Sequence, residues 1–142
     1  MVIIMKKVAD ENMVKNAVGE DEYADLSEPD HVEVDRDHAL TKPIIDALRE
    51  VYDPEIPVNI YELGLIYMID IRPQESGASD VYVQMTLTSP GCPVAQEMPE
   101  WVQNAILPID GVGQVDVDII WDPVWDPSMM AETAKLQLNM FI

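Results

Sequence analysis

The residue best suited to chemistry in this 142-residue sequence is Cys92, the chain's single cysteine, in the segment T-L-T-S-P-G-C-P. A helix is expected to begin directly after it. The unpaired N–H groups and dipole at a helix N-terminus favour an anion, so a thiolate is stabilised at that position. Gly91 permits close approach of a partner, and Pro93 suits the first helical turn. The residue types alone leave a plainer role open, since a solitary cysteine commonly behaves as a small buried hydrophobe.

Thr86 and Thr88 fall on one face of the strand leading into this segment, where their hydroxyls can line a site beside the thiol. Ordinary strand propensity explains two threonines equally well. Asp53 and Glu55 flank Pro54 in Y-D-P-E-I-P, a rigid turn that can offer two carboxylates as metal ligands, proton acceptors or backbone caps. Glu62, in N-I-Y-E-L-G, is a weaker candidate because one acid among apolar residues can simply face solvent, and Asn59 is ambiguous in the same way. His31 and His38 have no cysteine nearby and no helical metal spacing, so they read as solvated residues. Trp121 and Trp125, in W-D-P-V-W-D-P, suit either an apolar lid and docking edge or core packing at a strand end.

Much is excluded by what is missing. The sequence has no Walker loop, no dinucleotide glycine fingerprint, no nucleophile-elbow serine and no Cys-x-x-Cys pair. One cysteine cannot supply the four thiolates of a cluster cage. A thiol enzyme with Cys92 as nucleophile and Asp53 or Glu55 as base would lack the usual activating histidine in the core. The formal charge of −19, from 27 acidic and 8 basic residues, opposes binding to nucleic acid or anionic membranes. A lone cysteine builds no disulfide framework, no apolar run approaches the roughly 20 residues of a membrane span, and M-V-I-I-M-K-K-V-A-D does not read as a signal peptide. A reducing cytoplasm is the expected location.

The elements that must position these residues follow from periodicity. Residues 1–38 are dense in carboxylates without sustained apolar spacing and read as a flexible acidic extension, with the folded domain over 39–142. A helix is predicted from Thr41, as N-cap, through Tyr52, ended by Asp53-Pro54. Strands are predicted in L-I-Y-M-I-D-I-R and V-Y-V-Q-M-T-L-T-S, joined as a hairpin by 73–80. A helix over 94–107 follows, with Pro99 as an internal irregularity, then the strand Q-V-D-V-D-I-I-W and a last helix over 128–138. The order α-β-β-α-β-α predicts an α+β domain whose small mixed three-stranded sheet is covered by helices on one face.

Three ordered segments, A-L-R-E-V-Y-D-P-E-I-P-V-N-I-Y-E-L-G-L-I-Y-M-I-D-I, T-L-T-S-P-G-C-P-V-A-Q-E-M-P and I-I-W-D-P-V-W-D-P-S-M-M-A-E-T-A-K-L-Q-L, resemble the signatures of the SufT and PaaD family, whose domain also opens some Mrp-type ATPases. The resemblance covers about residues 41–140. It implies a fold similar to the C-terminal domain of NifU-like proteins and an accessory, non-enzymatic role in assembling or delivering iron–sulfur clusters. Carried over position by position, it implies a site of Asp53, Glu55, Thr86, Thr88 and Cys92. In that site Cys92 is a transient ligand for iron or a cluster, none of which one chain holds tightly. PaaD proteins carry additional C-terminal cysteines that this sequence lacks, which favours the SufT-like branch. The implied partners are assembly proteins and client apoproteins, and a homodimer would bring two Cys92 thiolates together. An adapter with a structural cysteine is the competing reading.

Overall fold

The computed structural model describes residues 27–53, 56–88 and 96–139. Its elements in chain order are β1 (Glu33–Val34), α1 (Thr41–Leu48), β2 (Ile66–Pro73), β3 (Ser79–Met85), α2 (Met98–Ile106), β4 (Val112–Ile119), a single 3₁₀ turn (Pro127–Met129) and α3 (Glu132–Asn139). The α+β class and the order of the elements from α1 onward follow the expectation. The sheet does not: it has four strands in the order β1-β2-β3-β4. The strand missing from the sequence reading is β1, only two residues long and too short to show an alternation.

The β2–β3 pair is the expected antiparallel hairpin, with Ile69 opposite Val83 and Ile71 opposite Val81. β4 then joins β3 in parallel, Val117 opposite Val83 and Ile119 opposite Met85. This register carries the alternation of each strand across the sheet. Ser79, Val81, Val83 and Met85 are buried on one face, whereas Asp80, Tyr82 and Gln84 on the other are half-exposed. The buried face meets Ile44, Ile45 and Leu48 of α1 and Met98, Val102 and Ile106 of α2 in one continuous core. The spacing of these helical residues is the i, i+3/i+4 pattern of a core-facing stripe.

Helix boundaries differ from the sequence reading in ways that local chemistry explains. Leu40, not Thr41, occupies the N-cap position of α1, and the Thr41 hydroxyl donates instead to the Asp35 carbonyl. α1 stops at Leu48, because Tyr52 is drawn into an isolated antiparallel bridge with Asn59, reinforced by Ile60 N–H donating to Val51 C=O at 2.8 Å. Pro99 is no interior kink: α2 begins at Met98, so the proline falls in the first turn, where its missing N–H has no intrahelical partner to lose.

The expected extension over 1–38 is also corrected for its last part. Val32 is buried, β1 pairs in parallel with β2, and Ser27 is almost wholly covered. Residues 27–38 are therefore a strap fastened to the domain. Residues 1–26 lie outside the described residues.

One glycine is required. Gly64 closes the turn before β2 at φ +85°, and a Cβ there would stand 2.4 Å from the Met129 carbonyl oxygen. Both the dihedral and the contact refuse a side chain. The variant Gly64→Ala is expected to lose at least about 2 kcal/mol of folding stability, read as a lowered urea midpoint at unchanged m-value.

Candidate functional site

Thr86 follows the last residue of β3, at the sheet end where β4 also stops. Its N–H donates to Leu65 C=O at 2.8 Å, and Ile120 N–H donates to Met85 C=O at 2.8 Å, so this end is pinned to both neighbouring strands. Thr86 is fully buried, yet among the described residues its Oγ1 has no hydrogen-bond partner. A buried hydroxyl without a partner costs about 1–3 kcal/mol, and strand propensity alone gives no return for that cost. Thr88, two residues on, is half-exposed. Cys92 and Glu55 lie outside the described residues.

Asp53 is buried in the loop closed by the Tyr52–Asn59 bridge, and its Oδ1 accepts from Ile56 N–H at 3.2 Å. That bond is a side-chain turn of the kind expected around Y-D-P-E. Since Thr86 Oγ1 has no partner, no direct bond joins it to Asp53. Among the described residues no group of three or more histidines, cysteines or carboxylates is placed to hold a metal ion.

The sequence reading misjudged Glu62, which is nearly fully buried rather than solvent-facing. Its Oε2 accepts from Arg49 Nη1 at 2.7 Å and Asn59 Nδ2 at 3.0 Å, and its Oε1 accepts from the Thr133 hydroxyl. Its backbone is held too: the N–H donates to Asn59 Oδ1 at 2.9 Å and the C=O accepts from Ala131 N–H at 2.8 Å. Arg49 continues outward to Ser27 and to Glu28 Oε1 at 3.3 Å, and stacks 4.9 Å from the centre of the Tyr61 ring. Glu28 in turn accepts from the Tyr61 hydroxyl and from Arg36 at 3.1 Å. The signal available in sequence was the pair Asn59 and Glu62 three residues apart in an otherwise apolar run, a spacing that lets one side chain bond the other.

The aromatic segment after β4 divides its roles. Trp125 packs against the core and donates Nε1–H to Leu63 C=O at 2.8 Å, which is the core-packing reading. Trp121 and Val124 are exposed, at 40% and 72%. Tyr67 reaches across to donate to Pro123 C=O at 2.8 Å and meets His31 edge-on at 5.4 Å between ring centres. His31 Nε2 lies 3.0 Å from Gly64 C=O, and His38 Nδ1 accepts from Leu40 N–H at 3.0 Å, so neither histidine is merely solvated. The strap and the segment 128–135 enclose a polar cleft of about 220 Å³. Among the described residues, no helix is long and apolar enough to cross a membrane.

Residues 41–117 match the family model described as iron–sulfur cluster assembly protein. The chain belongs to this family. A relative from Porphyromonas gingivalis, named Fe-S protein maturation auxiliary factor, is 47% identical over 97 residues, covering 68% of this chain and 88% of the relative. SufT of Staphylococcus aureus, named in the same way, is 34% identical over 63% of this chain and 98% of its own length. Among solved structures, a domain of unknown function from Bacillus anthracis superposes with a TM-score of 0.62 at 31% identity, covering 72% of this chain and 93% of that one. The matched span contains Asp53, Glu55, Thr86, Thr88, Cys92 and Glu62, but neither the strap with Glu28 nor α3 with Thr133.

The network has a measurable pH signature. Burial, together with the hydrogen bond to the Glu28 carboxylate and its charge, raises the Tyr61 hydroxyl well above the ordinary tyrosine range. Burial also raises Tyr67. An unfolded tyrosine ionises near pH 10 or so, whereas the folded one keeps its proton, so the folded state binds more protons above that pH. The stabilisation is fully present below the unfolded value and is lost as pH rises beyond it. Urea midpoints are expected to fall between about pH 9.5 and 11.5, and Tyr61→Phe is expected to flatten most of the fall.

Proposed function

We propose that the protein is an accessory factor in iron–sulfur cluster assembly or delivery, in which Cys92 is a transient thiolate ligand for iron or a cluster in transit. The observation that carries this reading is the family match over residues 41–117, which spans Cys92 together with Asp53, Glu55, Thr86 and Thr88. The names of the relatives support the broader role in maturation.

The chemistry of a single thiolate limits what the site does. One sulfur can take and release a ligand position on iron by exchange, without any redox step, but it cannot enclose a cluster. Release is therefore built in, which suits a transfer or accessory factor and not an enzyme or a storage scaffold. Clients and assembly proteins are the partners this role requires, and the site is consistent with a reducing cytoplasm. A pair of chains would supply two thiolates to one cargo.

Thr86 supports a site at the end of β3. Among the described residues its buried hydroxyl has no partner, which leaves it available to a group at this end of the strand. Replacing it isosterically separates the two roles: Thr86→Val is expected to raise folding stability by about 1 kcal/mol while lowering maturation of client enzymes. A variant that gains stability and keeps full maturation would make the hydroxyl incidental.

The central test is Cys92→Ser as the sole copy in cells grown under iron limitation. The activities of iron–sulfur enzymes are expected to drop to the level of a strain without the protein, with the amount of folded protein unchanged. Equal activities in wild type and variant would assign Cys92 a structural role and favour an adapter. Recovery of iron with the wild type but not the variant, under anaerobic purification, would then identify transfer over nucleophilic catalysis.

A further inference from the structure

β4 is a sheet edge. Its pairing with β3 fixes which backbone groups point outward. Ile120 N–H donates to Met85 C=O, so in this parallel ladder the even-numbered residues of the strand's second half turn their N–H and C=O toward β3. The odd-numbered residues Val115, Val117 and Ile119 turn theirs away. This is visible at Val115, whose C=O accepts from the α2 side chain Gln103 at 2.8 Å. Gln103 thus caps the edge at one position. Among the described residues no strand lies beyond β4, so the N–H and C=O groups of Val117 and Ile119 have no strand to pair with.

Exposed edges of soluble proteins are usually blunted by lysine, proline or a covering element. The sequence V-G-Q-V-D-V-D-I contains neither residue. It carries Asp116 and Asp118 on the solvent face of the sheet instead, with Asp118 accepting from Tyr82 at 2.8 Å, and it runs on to the exposed Trp121. These carboxylates discriminate between occupants. A second copy pairing antiparallel about Val117 would set Asp116 directly opposite the other copy's Asp118, and like charges directly opposed across strands are destabilising. With a formal charge of −19 on each chain, that arrangement is disfavoured further.

We propose that the β4 edge receives an extended segment of a partner protein as a fifth strand. The segment carries lysine or arginine at alternate positions, so that its cations face Asp116 and Asp118 while its apolar residues extend the buried face past Val117 and Ile119. Main-chain bonds to Val117 and Ile119 supply the binding, and the carboxylates select the charge pattern. The inference stands apart from the Cys92 reading, since it uses neither the thiol nor the residues around it.

The test uses the full-length protein and two capped hexapeptides, one alternating lysine and valine and the other alternating glutamate and valine. The lysine peptide is expected to bind at least tenfold more tightly. Hydrogen exchange should show the amides of Val117 and Ile119 unprotected in the free protein and protected when the lysine peptide is bound. Val117→Pro removes an outward N–H without taking one from the β3 ladder, and is expected to abolish binding. Should that variant fail to fold, Asp116→Lys serves in its place and is expected to shift the preference toward the glutamate peptide. Protection mapping to another surface, equal affinity for both peptides, or prior protection of these two amides by self-association would each overturn the proposal.

Discussion

The fold depends on a buried carboxylate. Glu62 is nearly inaccessible, and its charge is tolerated because Arg49, Asn59 and Thr133 all donate to it. Removing a charge from water costs several kcal/mol, so such a group persists only when its donors are delivered accurately. Those donors come from the end of α1, the loop before β2 and the last helix. Satisfying one side chain therefore fixes three segments relative to one another, and Arg49 adds a fourth by reaching Ser27 and Glu28 in the strap.

Around that clamp, the β3 end is arranged differently. Polar groups in the clamp are paired, whereas among the described residues Thr86 keeps a buried hydroxyl without a partner. The contrast sorts the polar residues physically: the Glu62 set spends its hydrogen-bonding capacity on structure, and Thr86 retains its own. Asp53 belongs nearer the first group, since its carboxylate closes the turn at Ile56.

The parts of the fold that were legible in the sequence are those with a period. β3 shows strict alternation, α2 shows a stripe of Met98, Val102 and Ile106, and the turn chemistry between β2 and β3 is explicit; all three elements were recognised, though β3 spans Ser79–Met85 instead of 81–89 and α2 begins at Met98 instead of 94. What escaped has no period to read. β1 spans two residues, the end of α1 is set by a bridge between Tyr52 and Asn59, and the strap is held by charged residues whose partners are distant in sequence. Of the candidate site, Asp53, Thr86 and Thr88 could be located. The local pair Asn59 and Glu62 was legible, but the third donor to Glu62 was not, since Thr133 is 71 residues away.

That separation matters for how the chain is made. A ribosome delivers Glu62 and Arg49 long before it delivers Thr133 and the Ala131 N–H, so part of the clamp can form only after the final helix has emerged. Until then a carboxylate meant for the interior stays hydrated and holds its segment open. Closure of the clamp is thereby tied to the emergence of α3 from the ribosome.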